Sequence, residues 1–381
     1  MSNPPSSSLP AGATFKQIDG GPDYNAKFSP GLPTDPSFFP IGVWYESADR
    51  EDLVAYDKAT GLNTYVAMTS NPDTVSMRKY GMYLMPWSDQ SVPGKGSETV
   101  AYTLEDEPDM MDPGWWGAPS AKQWTYMDAK LNNRPKDGRA NYTNYGLGIL
   151  ANDDRDPDAS RFVQKYTDYV SADCYMWYGG GLNYESSRCI GKGDQRLTLD
   201  QQHRARNYGI IVERMRGFAA NTKPVWSFIE IADITPGQLR AAMWHSIISG
   251  ARGIIFFNHQ FGKTCETQHA LRESCYAAQR SMVQSVTAQI RALAPVINAP
   301  DVVGLTTNTQ GVTSNTKWNN GKPVIFAGNN DNASKSATFT VSGQSTATVT
   351  VLGENRTIQM TGGKFTDQFA NGDAVHIYQV G

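Results

Sequence analysis

Residues 224–259, PVWSFIEIADITPGQLRAAMWHSIISGARGIIFFNH, hold two short apolar runs separated by a helical pattern. PVWSFIEI (224–231) and RGIIFFN (252–258) read as buried strands, and GQLRAAMWHSIISGA between them as a helix. The same alternation continues towards the N-terminus. Further strand candidates are PIGVWY (40–45), LNTYVAM (62–68), YLMPW (83–87), VAYTLE (100–105), RANYTNY (139–145) and YVSADCYM (169–176), with helical patterns such as REDLVAYDKAT and AKQWTYMDAKL between them. Repeated βα units imply a parallel sheet, and eight of them in about 260 residues predict an α/β fold of the (β/α)8 TIM-barrel type. Two gaps, notably that between the third and fourth strands, are too short for a full helix.

On either side of this region the texture changes. Residues 1–37 are rich in Ser, Pro and Gly and read as an extended or loosely attached arm. Residues 38–299 form the predicted barrel. From residue 300 the helical signal stops and short alternating runs such as KPVIFAGN, TATVTVLG and AVHIYQV predict a small all-β, sandwich-like domain over 300–381, with Ala299 and Pro300 at the boundary.

The chain has 381 residues, 39% hydrophobic and 19% charged, with a net charge of -3. That balance offers no polybasic surface for nucleic acid or anionic lipid, and no apolar run is long enough for a membrane helix. The start, MSNPPSSSLPAGATF, lacks the apolar stretch of a secretory signal, which suggests a processed form or export by another route, for example within a virion. Cys174 with Cys189 and Cys265 with Cys275 bracket short loop-like stretches and suit two local disulfides in an oxidising compartment, an extracellular or virion-associated one; four reduced thiols are the alternative. No CxxC or zinc-finger spacing appears, so no metal and no cofactor is expected. Asp154, Asp156 and Asp158 repeat at every second position, but Ala159 and Lys165 stand where a calcium loop needs Gly and Glu. The absence of HExxH, GxGxxG, GxxxxGK[ST] and GxSxG removes support for zincin, dinucleotide, nucleoside-triphosphate and nucleophile-elbow chemistry.

Aromatic residues make up 11%, with 9 Trp and 18 Tyr, many of them in polar loops. Aromatic faces stack on the C–H faces of sugars, so a carbohydrate partner is one reading and core packing the other.

In a barrel the active site lies at the C-terminal ends of the strands. VAYTLEDEP ends with Glu107 before Pro108, and PVWSFIEIAD places Glu230 at the close of its run. A carboxylate there must reach a polar pocket or a cation. With Glu107 after the fourth strand and Glu230 after the seventh, the chain resembles clan A glycoside hydrolases, whose acid/base Glu follows strand four, usually in Asn-Glu-Pro, and whose nucleophile follows strand seven. FFPIGVWYE, SADCYMW and MWHSIISGARGIIFFNH are similar to segments of such barrels, and the likeness spans residues 38 to 295.

The resemblance implies a retaining glycosidase with Glu107 as acid/base, Glu230 as nucleophile, and a carboxyl pair about 5 to 5.5 Å apart. It also implies that Tyr175 presents its hydroxyl to the nucleophile, with Trp177 and Tyr178 as alternatives in register. Asp106 stands where the family has Asn, an acceptor without amide donors. Glu105 is the competing acid/base. Strict alternation puts Glu105 and Glu107 on one side and Asp106 on the other, unless the strand end bulges. Trp44, Tyr45, Glu46, Trp87 and His259 close strands and are expected to line a sugar cleft, with Trp115 and Trp116 as a stacking platform. Two other classes stay open: a non-catalytic carbohydrate-binding or virion-structural barrel, and a barrel lyase or transferase using the same acids.

Overall fold

The computed structural model describes residues 9–111, 121–151, 157–178, 183–191 and 197–381. Among these, eight strands pair in parallel: β1 (Ile41–Glu46), β2 (Thr64–Met68), β3 (Tyr83–Met85), β4 (Ala101–Asp106), β5 (Ala140–Tyr145), β6 (Tyr169–Ala172), β7 (Trp226–Glu230) and β8 (Gly253–Phe257). They correspond one for one to the runs singled out above. They form a five-stranded sheet, β3-β2-β1-β8-β7, and a three-stranded sheet, β4-β5-β6. Parallel bridges join the two at both margins, Trp87 to Thr103 and Val170 to Val225.

Helices follow most strands: α1 (Glu51–Thr60), α2 (Thr74–Tyr80), α3 (Ala121–Asn133), α4 (Leu147–Leu150), α5 (Pro157–Tyr166), α6 (Asn183–Ile190), α7 (Leu199–Gln202), α8 (Arg206–Phe218), α9 (Pro236–Ile248) and α10 (Ala277–Ile297). Their starts are written locally. Asp73 accepts from the Val75 and Ser76 amides ahead of α2, and Thr235 with Gln238 forms a capping box at α9, where Pro236 begins the helix. As expected, no helix separates β3 from β4.

Side-chain alternation sorts the strands into two packed layers. Trp44, Val66, Met85, Ala101, Tyr142, Tyr169, Trp226, Phe228 and Ile255 meet in one buried cluster to which all eight strands contribute. Their neighbours, including Val43, Tyr65, Leu84, Val170, Ile229 and Ile254, pack against the helices. Strands buried on both faces need continuous apolar runs, which is why they are readable in the sequence.

The tail forms nine antiparallel strands, β9 (Asp301–Val303), β10 (Thr306–Asn308), β11 (Val312–Asn319), β12 (Lys322–Asn329), β13 (Lys335–Val341), β14 (Thr346–Val351), β15 (Arg356–Thr361), β16 (Lys364–Phe369) and β17 (Val375–Val380). With Thr14–Lys16 of the arm they make a ten-stranded sheet. Along β12, Ile325 and Ala327 enter the tail's own core, while Val324 and Phe326 face the helices. Phe326 stacks on Trp244 of α9 with ring centroids 5.9 Å apart. At Gly328 a Cβ would lie 2.5 Å from the His245 ring, so only glycine lets the two layers approach this closely.

The described part of the arm, residues 9–37, is attached, contrary to the expectation of an extended or loosely attached segment. Thr14–Lys16 pairs with β9, Asp19 takes both nitrogens of Arg216 at 2.5 and 2.6 Å, and Tyr24 and Leu32 are buried in the cluster shared by the strands. A few well-placed apolar residues outweigh a Ser/Pro/Gly background when they plug an existing core. Both disulfides form, Cys174 to Cys189 and Cys265 to Cys275.

Candidate active site

The end of β4 is irregular. Its pairing with β5 shifts register between Thr103 and Glu105, so alternation fails there, the bulge anticipated as the exception. Glu105 turns outward to α3, where Tyr126 donates to it and Lys130 lies 3.1 Å away. Asp106 turns inward and accepts from Asn144 Nδ2 at 3.1 Å. Glu107 then takes the left-handed conformation, φ 44° and ψ 47°, as do Tyr45 (φ 52°) at the end of β1 and Ala67 (φ 48°) in β2. Strained non-glycine residues gathered at strand ends mark a region that is over-determined by its surroundings. Glu107 Oε1 lies over Gly146, where a Cβ would come within 2.7 Å of it.

Glu107 sits among acids. The charge of Asp173, the residue following β6, acts on its carboxyl. Asn144 on β5 spans the group, donating to Asp173 Oδ1 at 2.8 Å as well as to Asp106. Behind it Ser171 Oγ donates to Asn144 Oδ1 at 2.7 Å, and Tyr142 meets Ser171 at 2.6 Å. The negative field of Asp173 first, then desolvation, raises the Glu107 carboxyl well above its ordinary range. Desolvation and Asp173 raise Asp106 to about 7. Asp109 is fully buried and is raised to about 7 by burial, but it accepts from the Gly146 and Ile149 amides and so anchors the start of α4. Asp106, Glu107 and Asp173 are partly exposed and within reach of a ligand.

Glu230 faces the same way as Trp226 and Phe228 and is completely buried. Its Oε1 accepts from the amides of Met176 and Trp177, both at 2.9 Å, and from Tyr208 of α8 at 2.7 Å. Its Oε2 has no hydrogen-bond partner among the described residues. Burial raises the carboxyl to about 7 against the pull of these three donors. One short segment after β6 therefore bears on both glutamates: the charge of Asp173 opposes ionisation of Glu107, and the Met176 and Trp177 amides hold Glu230.

The aromatic residues divide. Tyr175 stacks on Phe257 at 4.6 Å; its hydroxyl is buried with no hydrogen-bond partner among the described residues, and burial, then the charge of Asp173, raises it well above its ordinary value. The tyrosine on Glu230 is Tyr208 instead, supplied by a helix, where no strand-end signal marks it. Trp44 is enclosed by Trp87 (5.9 Å), Tyr142 (6.4 Å) and Phe228 (5.6 Å), whereas Trp87 is half-buried and meets Tyr45, which also meets His259 at 6.0 Å. Burial lowers the His259 imidazole below its ordinary value. Trp177 stacks over Tyr208 at 6.3 Å. Trp115, Trp116, Asp154 and Asp156 lie outside the described residues.

Glu46 does not line this surface. Its Oε1 meets His269 at 2.5 Å and Arg272 at 2.8 Å, and its Oε2 accepts from Asn258 at 2.8 Å. The left-handed Tyr45 puts both Trp44 and Tyr45 in the inner cluster and throws Glu46 to the other side. Beyond Glu230, Asp233, Gln260, Lys263, Thr264 and Tyr276 line an open depression. Asp233 pairs with Lys263 at 2.6 Å. Nearby Phe261 is 47% exposed and packs on His259.

No protein-family model matches the chain, and no curated protein matches its sequence. Solved structures do resemble it. A structure described as a glycoside hydrolase aligns with TM-score 0.51 and 10% identity over 90% of this chain and 92% of its own. A noncanonic maltogenic alpha-amylase, AmyB from Thermotoga neapolitana, aligns at 0.50 and 8% over 91% and 99%. Amy13B of Eubacterium rectale aligns at 0.50 and 10% over 96% and 99%. Over nearly its whole length the chain shares the fold of solved glycoside hydrolases.

Proposed function

We propose that the chain is a glycoside hydrolase whose eight parallel strands close into a (β/α)8 barrel over residues 38–299, followed by the sandwich of 300–381, and that it cleaves a glycosidic bond with retention. Glu107 is the acid/base and Glu230 the nucleophile. Closure is supported by the parallel bridges at both sheet margins and by the single inner cluster to which every strand contributes. The observation that carries the function is the segment 173–177, whose Met176 and Trp177 amides hold Glu230 while the charge of its Asp173 opposes ionisation of Glu107.

Retention requires opposite protonation states. The charges of Asp173, Asp106 and Asp109 all oppose ionisation of Glu107 and favour its protonated form, which can pass its proton to the leaving oxygen. Once ionised it is an anion among acids, which favours recapture of a proton from the water that releases the second product. Glu230 has its Oε1 held by three donors and its Oε2 unpaired, so one oxygen is oriented to attack the anomeric carbon. Trp87, Tyr45, Tyr175 and His259 supply the sugar-facing wall, with Asp106 beneath it and Trp44 and Trp177 packed behind. Two disulfides suit an extracellular or virion-associated setting.

The complete burial of Glu230 favours a second reading, a non-catalytic carbohydrate-binding barrel. One screen separates them: aryl glycosides and polysaccharides with the wild type, Glu107→Gln and Glu230→Gln. The proposal expects a cleaved substrate and loss of cleavage in both variants. Cleavage retained by both variants contradicts it, and glycan binding without cleavage by any form supports the second reading.

A further inference from the structure

We propose that the Cys174–Cys189 disulfide is a positioning device for Glu230: it ties the segment bearing the Met176 and Trp177 amides to α6, and through those amides it fixes the orientation of the Glu230 carboxyl. The catalytic meaning of this link rests on the glycosidase reading, whereas the mechanical connection from disulfide to carboxyl does not.

Strand β6 ends at Ala172, and residues 173–178 continue as irregular backbone, neither helix nor strand. A helix or sheet fixes its amides through its own ladder, but amides in irregular chain stay where tertiary ties hold them. Those ties can be named. At the near end the Asp173 amide donates to the Tyr145 carbonyl at 2.9 Å, and Asp173 Oδ1 accepts from Asn144 at 2.8 Å, so β5 anchors the start of the segment. The next residue, Cys174, is bonded to Cys189 near the end of α6, and both cysteines are buried. Cys189 is itself held, because Arg214 Nη1 of α8 donates to its carbonyl at 2.6 Å. Two and three residues beyond Cys174, the Met176 and Trp177 amides each donate to Glu230 Oε1 at 2.9 Å.

The connections close on themselves. Helix α8, which grips Cys189 through Arg214, also supplies Tyr208, whose hydroxyl donates to the same Oε1 at 2.7 Å and whose ring stacks on Trp177. All three donors thus converge on one oxygen from a unit that the disulfide joins covalently, and Oε2 is left without a hydrogen-bond partner among the described residues. The other disulfide, Cys265–Cys275, lies in the loop after β8 and carries none of these three donors, so it serves as an internal control.

The test is a 13C NMR titration of protein labelled at the glutamate side-chain carboxyls, with Glu230→Gln to assign the resonance. It needs no sugar, so its outcome is separate from that of the substrate screen. Cys189→Ala cuts the tie from the α6 side and leaves residues 173–177 unchanged. Hydrogen bonds to the ionised form favour it, so with the two amides loosened the Glu230 midpoint should rise by about half a pH unit or more. Hydrogen exchange at the Met176 and Trp177 amides should quicken by on the order of tenfold, as local opening becomes easier. The other ionisable groups acting on or facing Glu230, Tyr208, Asp233 and Tyr178, are untouched by the substitution. Cys265→Ala with Cys275→Ala should leave both readings at their wild-type values.

If Cys189→Ala does not fold, the same measurements are made on the Cys265→Ala/Cys275→Ala protein reduced with dithiothreitol, in denaturant and then refolded. The S–S bond takes up two electrons and two protons to give two thiols, while the dithiol loses them and closes to its cyclic disulfide. Alkylation and mass spectrometry confirm both thiols, and circular dichroism confirms the fold. A Glu230 midpoint unmoved or lowered once the tie is cut, or an equal rise in the control, overturns the proposal. Once a substrate is known, the acidic limb of kcat should move up with the NMR midpoint while KM changes little, which loss of packing alone would not produce.

Discussion

Glu46 and Glu107 both stand at the C-terminal end of a parallel strand, next to or within a left-handed kink, and their surroundings are opposite in sign. Glu46 meets the guanidinium of Arg272 and the His269 ring, with Asn258 filling its second oxygen. The charges acting on Glu107 are those of Asp173, Asp106 and Asp109. Cations around a buried carboxylate make it a structural tie. Acids around a carboxyl hold a proton on it, which is the property a general acid needs. The position of a carboxylate at a strand end thus says where to look, and the charges around it say what it does.

The comparison breaks most sharply by mutation. Glu107→Gln should lower kcat by about 10²- to 10⁴-fold, the usual reach of general acid catalysis, measured on any substrate the screen returns. Glu46→Gln should leave kcat within a few fold of the wild type and act on stability instead. Removing one partner of a buried ion pair costs about 3–5 kcal/mol, and the lower end applies because Asp57 still pairs with Arg272 at 2.6 Å. Urea denaturation of both variants measures this. A stable but inactive Glu46→Gln would reverse the assignment.

A smaller effect concerns pH. The folded carboxyl of Glu230, raised to about 7, lies above its unfolded value. Its contribution to stability is therefore full below about pH 4.5 and is lost as pH rises through 7. Glu230→Gln should remove that loss, so the melting temperature of the wild type relative to the variant should drop by a few degrees between pH 5 and pH 8. For the same reason activity should rise as pH passes 7, when Glu230 ionises. An acidic optimum would contradict its assignment as nucleophile. The mildest expected effect is at Phe261, 47% exposed beside His259. Phe261→Ala should raise KM about two- to fivefold, consistent with about 0.5–1 kcal/mol from one aromatic contact, without changing kcat.

Much of this was legible in the residues. PIGVWY, VAYTLE, PVWSFIEI and the other apolar runs all became strands, because a parallel strand buried on both faces has no polar alternation to blur it. The placement of side chains at strand ends was not legible. One left-handed residue, Tyr45, moved Glu46 from the expected cleft into the Arg272 network, and the slip after Thr103 accompanies the turn of Glu105 towards Tyr126 and Lys130. Such kinks leave no mark in hydrophobic periodicity. Asp173 could have been found, since YVSAD closes an apolar run with an acid just as Glu107 and Glu230 do. Tyr208 could not, because it reaches Glu230 from a helix whose pairing with that strand depends on tertiary packing.

The most direct test of the central claim is covalent trapping. Incubating the protein with a panel of 2-deoxy-2-fluoroglycosyl fluorides and mapping the adduct by peptide mass spectrometry should place a single sugar on Glu230, with none on the Glu230→Gln variant. An adduct on another residue, or none from the 2-fluoro analogue of a sugar that the protein demonstrably cleaves, would contradict the account.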